Sequence, residues 1–183
     1  FTDATTNNAT RALAGKEVGT LVITNENGTY TYPNITLWSL YVKTADDLFI
    51  INDYLSVVGD VADGAIKFIN DIDFATRDTD KYSAWAEQYR IGNAAGTSSN
   101  VTGFIGYIEG NGKTITNFAT NSKYGGLIAN ATDMTIKNLN VSLGSFGVTG
   151  VFGYGVDGAT LENVTLTGAY NTTTGNGVLF HTL

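Results

Sequence analysis

The stretch TIKNLNVSL, Thr135 to Leu143, reads almost as one strand. Leu139, Val141 and Leu143 alternate with Asn140 and Ser142, the period of a strand with one buried face. Ile136 breaks that register, because it sits three places before Leu139, and Asn138 stands in the gap. The same arrangement recurs. KTITNF (113–118), MTIKNLNVSL (134–143) and ATLENVTLTG (159–168) each read Thr, apolar, any residue, Asn, apolar, with the Asn at Asn117, Asn138 and Asn163. A Gly-rich segment precedes each: TGFIGYIEG (102–110), GGLIANATD (125–133) and TGVFGYGVDG (149–158). A further copy opens at NGVLFHTL (176–183).

Self-similarity at intervals of roughly 20–30 residues marks a stack of repeated units. These units are too short for a helix pair and carry no helical period. They therefore predict an all-β fold, a right-handed parallel β-helix (a solenoid) of about four to six coils. In such a stack the inward residues lie one above another about 4.8 Å apart. The repeat alignment places Ile115 on Ile136 on Leu161, and Phe118 on Leu139 on Val164. Asn tolerates the left-handed backbone that a corner needs. Its side-chain amide can also bond the Asn one layer away. Asn117, Asn138 and Asn163 are thus expected to form a structural ladder.

Outward from the repeats, the chain divides simply. Residues 1–16 are polar and aperiodic and read as a disordered leader or tether. Residues 17–183 read as a single domain, with the repeated layers over 101–183. TLVIT and TYTY flank NENG, whose Asn27-Gly28 pair signals a hairpin. NITLWSLYV (34–42) is apolar on both faces and reads as a strand buried on both sides. Residues 44–59 read as one helix that caps or flanks the N-terminal end of the stack. Thr44 is its N-cap, Asp47 its capping carboxylate, and Leu48, Ile51, Leu55 and Val58 its apolar stripe, with Gly59 as its stop. The chain ends inside a repeat at GVLFHTL, an uncovered strand edge. That predicts either a fragment of a longer solenoid or end-to-end self-association there.

Composition narrows the function. The chain has 183 residues, a net charge of −7 and only 10 Lys and Arg, so no cationic face is expected for nucleic acid or for an anionic membrane. Cys is absent and the single His is His181, which disfavours thiolate chemistry, a His-rich metal site and a Ser-His-Asp triad. No run approaches the roughly 18 apolar residues of a membrane span. No signal peptide is visible, and the start at Phe1 points to a processed or trimmed chain. An acidic chain rich in Thr, Asn and Gly fits an exported, extracellular or cell-surface protein.

The order FIGYIEGNGKTITNF, YGGLIANATDMTIKNLNV, TGVFGYGVDGATLENVTL resembles the GLUG-motif repeats of bacterial surface proteins. INDIDF (69–74) and WAEQYRIG (85–92) resemble segments that precede those repeats. The resemblance covers about residues 44–183. Glu109 stands where the motif carries Asp, Ile128 and Ala129 where it carries Phe and Gly, and His181 follows Phe180 where it carries Gly. The resemblance implies an extracellular, adhesin-like module. The motif brings no catalytic residue with it.

Candidate chemistry is sparse. Asp71, Asp73, Asp78 and Asp80 read as turn caps, with a Ca²⁺ site as the alternative, although their spacing matches no calcium loop. EGNGKT (109–114) reads as a tight turn, not a phosphate loop. Tyr30, Tyr32, Trp38, Tyr41, Trp85 and Tyr89 are either packing or a sugar platform. Trp85 and Tyr89 are the best ligand-binding candidates, because they lie in the long polar loop over 76–101. No catalytic residue, cofactor site or metal site is otherwise assigned. The expected function is a non-enzymatic β-helix module that binds a glycan or a host surface protein, or serves as a stalk. The rival is a polysaccharide-active lyase or hydrolase. Such an enzyme would need clustered acids beside Arg or Lys, whereas Lys113, Lys123 and Lys137 are scattered in sequence.

Overall fold

The computed structural model describes residues 17–36, 40–57, 62–82, 103–120, 126–128, 130–146, 150–153, 155–169 and 178–180. The leader over 1–16, and Trp85, Tyr89 and His181, lie outside them.

Two long strands come first, β1 (Glu17–Asn25) and β2 (Gly28–Thr36). The turn between them is only Glu26 and Asn27, too short for anything but antiparallel pairing. Asn25 Oδ1 accepts from the Asn27 N–H at 2.8 Å, and Gly28 takes a φ of 135° that suits only glycine. The short β3 (Leu40–Val42) leads into α1 (Ala45–Val57). The expected capping carboxylate starts that helix. Asp47 Oδ2 reaches back to the N–H of Thr44 at 2.9 Å and of Lys43 at 2.8 Å.

The rest is built from parallel strands. One sheet runs, in spatial order, β10 (Gly155–Glu162), β8 (Asn130–Lys137), β6 (Gly103–Glu109), β4 (Ala62–Phe68), β3. The second runs β11 (Thr165–Thr167), β9 (Asn140–Phe146), β7 (Thr114–Thr120), β5 (Ile72–Asp73). The segments 127–128, 151–152 and 178–179 join one another through backbone bonds of 2.9–3.0 Å. The core lies between these walls. It contains Ile66, Phe68, Ile108, Ile115, Phe118, Ile136, Leu139, Val151 and Phe152, and α1 closes it at the β3 end with Leu48, Phe49 and Ile51.

Three expectations are corrected. The fold is not an all-β right-handed parallel β-helix with one N-terminal capping or flanking helix. The described residues form three separate sheets, one of them an antiparallel pair, and no closed coil is traced among them. A helix also supplies part of the core itself, so the fold is mixed. The second correction concerns register. Ile136 pairs with Ile108 and Leu161, whereas Ile115 pairs with Ile72 and Val141. The reason is the corner. Gly110–Lys113 fill the place that Asn138-Leu139 and Asn163-Val164 fill in the later layers, because Glu109 pairs with Lys137 and Thr114 with Asn140. TITNF therefore follows its corner, while TIKN and TLEN precede theirs. The stretch read as a doubly buried strand is also divided between β2 and β3, and Tyr41 in it is exposed.

Candidate functional site

The corner asparagines come first. Asn117, Asn138 and Asn163 take φ values of 54°, 52° and 52°. Asn163 Nδ2 donates to Asn138 Oδ1 at 3.1 Å, and Asn138 Nδ2 donates to Glu109 Oε1 at 3.0 Å. That carboxylate also accepts from the Asn111 N–H at 2.7 Å. The amide ladder of the first corner thus ends on an acid. Asn117 is not part of it. It lies at a register shift within β7, and its amide donates to Asp73 Oδ1 at 2.8 Å. Gly110 packs against the same corner so tightly that a Cβ there would stand 2.3 Å from the Asn138 carbonyl oxygen.

Three of the four carboxylates weighed for Ca²⁺ hold protein partners, two of them across to a neighbouring strand. Asp71 accepts from the Thr114 N–H at 2.8 Å. Asp73 accepts from Asn117 and from the Ala75 N–H, and these bonds hold its pKa below the ordinary carboxylate value. Asp78 accepts from the Asp80 N–H and pairs with Lys81 at 3.1 Å, which lowers its pKa in turn. Among the described residues no group of three or more His, Cys, Asp or Glu is placed to hold a metal.

One of the lysines scattered in sequence, Lys137, falls in an ordered row, whereas Lys123 lies outside the described residues. Lys67, Glu109, Lys137 and Glu162 stand opposite one another on successive strands, a row of alternating charge on the outer face of the larger sheet. Lys137 is ion-paired with Glu162, which raises the lysine's pKa. Alternating signs in a row support strand register. They also neutralise one another, so the row offers no net field to an acidic polysaccharide.

Among the described residues the hairpin carries a run of exposed apolar side chains. Leu21 faces Tyr32 and Ile23 faces Tyr30 across the ladder, so the four side chains share one face. They are 44–48% exposed. The opposite face carries Val22 beside Thr24, Thr29 and Thr31, and the Thr24 and Thr29 hydroxyls lie 3.0 Å apart. None of these residues belongs to the core cluster, and the hairpin's extensive contacts are between its own strands. The alternation of Thr with Leu, Ile and Tyr announces an amphipathic hairpin in the sequence. Nothing in a strand's period tells whether its apolar face is covered.

No family model, curated protein or solved structure matches the chain.

Proposed function

We propose that the protein is a non-enzymatic, exported surface module of the adhesin type, which attaches to a glycan or a protein partner without making or breaking bonds. The observation that carries this reading is the apolar face of Leu21, Ile23, Tyr30 and Tyr32, none of which belongs to the core cluster of the described residues. A hairpin of two strands is marginal in water by itself, so a long one with large side chains turned outward is suited to contact. Two acids support the same reading, because Glu109 and Asp73 are spent on corner and bulge amides. The resemblance to GLUG-motif repeats supports placement at the cell surface.

The test is a panel of immobilised glycans and surface glycoproteins. Binding is expected, and the double variant Tyr30→Ala/Tyr32→Ala should weaken it about tenfold, the equivalent of about 1.4 kcal/mol. Release of unsaturated sugars from acidic polysaccharides by the purified chain would overturn the reading in favour of a lyase.

A further inference from the structure

The chain carries three Asn-Gly pairs, at 27–28, 111–112 and 176–177. The last lies outside the described residues, and the other two stand in different surroundings. Asn111 is held by its corner. Its N–H donates to Glu109 Oε1 at 2.7 Å and its side-chain amide to the Phe68 carbonyl at 3.4 Å. The Gly112 N–H donates to the Asn138 carbonyl at 2.8 Å, and the Lys113 N–H to the Gly110 carbonyl at 2.8 Å. Gly110 itself is buried against Asn138 and Leu139. Asn27, in contrast, stands at the tip of the hairpin. Glu26 and Asn27 form a two-residue hydrogen-bonded turn, and both are exposed. The Asn27 N–H donates to Asn25 Oδ1, while its own side-chain amide has no hydrogen-bond partner among the described residues. A Cβ on Gly28 would meet nothing within 4 Å. No described residue of the hairpin belongs to the core cluster. An exposed turn of this kind opens at little cost, whereas a corner packed between layers opens only with its neighbours.

We propose that Asn27 is a site of self-modification, at which the side-chain amide becomes a carboxylate through a cyclic imide with Gly28, and that the corner protects Asn111 from the same change. The Gly28 backbone nitrogen gives up its proton and attacks the Asn27 Cγ. A C–N bond forms, the Cγ–Nδ2 bond breaks, and the amide nitrogen leaves as ammonia with the proton that Gly28 gave up. Water, the only co-reactant, then opens the imide at either of its two carbonyls. One product is aspartate. The other is isoaspartate, in which the main chain runs through the side-chain carbon. Nothing is oxidised or reduced. Glycine suits the step because it brings no side chain to obstruct the ring. Attack also requires the Gly28 nitrogen to leave its turn bond, and the hairpin tip grants that release more readily than the corner at Gly112.

Either product places a carboxylate beside Glu26 and adds one negative charge to the −7 of the chain. Isoaspartate also adds a carbon to the backbone of the turn. The pairing of Asn25 with Gly28 that closes the turn then no longer fits, and the next pair, Thr24 with Thr29, loses its support. The change falls on the hairpin and not on the packed layers, so the core survives it. This inference does not depend on what the protein binds.

The experiment incubates the purified full chain in mildly alkaline buffer. Each Asn-Gly peptide is followed by proteolytic mapping and mass spectrometry, and an isoaspartyl methyltransferase counts the isoaspartate. In the folded chain Asn27 should convert about tenfold faster than Asn111. The rate should rise with pH, because the attacking nitrogen must lose its proton. In concentrated urea the two should convert at similar rates, since without the fold they are the same dipeptide. Asn27→Gln should abolish conversion at that position, because the larger ring forms poorly, and should leave the Asn111 rate unchanged. Equal rates in the folded chain overturn the proposal, and so does a folded chain whose Asn27 stays intact. A gap of the same size in urea overturns it as well, because flanking residues and not the fold would then set the rate.

Discussion

Asn138 holds a backbone conformation that costs an ordinary side chain about 1–2 kcal/mol. It also accepts from Asn163 and donates to Glu109. Asn138→Leu should therefore lower stability by about 1–3 kcal/mol, read as a shift in the urea midpoint. An unchanged midpoint would show that the corner stores no such strain. Asp73 makes a different kind of prediction. Its folded pKa lies below the ordinary value, chiefly through the Asn117 amide. The stability it contributes is complete above its unfolded pKa, about 4, and fades as pH falls through the lower folded value. Asp73→Asn should then be less stable than the parent at pH 7, and the two unfolding curves should converge as pH falls below the folded pKa of Asp73. A constant gap across that window would argue against the linkage. At this scale the sequence is half legible. Asn tolerates φ near +50°, so a recurring Asn announces bends. Whether a bend is a corner or a bulge depends on the strand beside it, and that is why Asn117 does not join Asn138 and Asn163 in one ladder.

Strands and helix differ in how openly the sequence declares them. The capping of α1 by Asp47 and the tight turn of β1–β2 depend on neighbours within a few residues, and both are legible. The row Lys67, Glu109, Lys137, Glu162 depends on register across four strands. No spacing along the chain discloses it. The row is testable as a unit. Lys137→Glu would put three acids in succession, and like charges directly opposite are destabilising. The expected loss is about 1 kcal/mol at low salt, and most of it should return on adding about 1 M salt, which shortens the screening length to about 3 Å. A salt-independent loss would point to packing of the lysine stem instead.

The molecule as a whole joins an antiparallel hairpin, a helix and two parallel sheets, and only the last of these follows from the repeat. A repeat signals that identical units stack. It does not say what closes the stack, and here a helix of unrelated sequence does so. Phe49 anchors that closure, stacked on Tyr82 with ring centroids 4.4 Å apart and tilted against Phe74 at 6.2 Å. Phe49→Ala should cost about 3–5 kcal/mol. The calorimetric transition should broaden or split if the helix releases before the strands, and stay single if the closure is integral to folding.

Among the described residues only the β3 end of the stack is covered by a helix, and this orders events in time. A layer is released most easily when it has a neighbour on one side and water on the other. Amide protons of β11 and β10 should therefore exchange with deuterium first, those of β8 and β9 later, and those of β4 beneath α1 last. The described layers would come apart as a coin stack does, from the face of β11 and β10 toward the base beneath α1. Occupying that face, by whatever means, would slow the release of every layer below it.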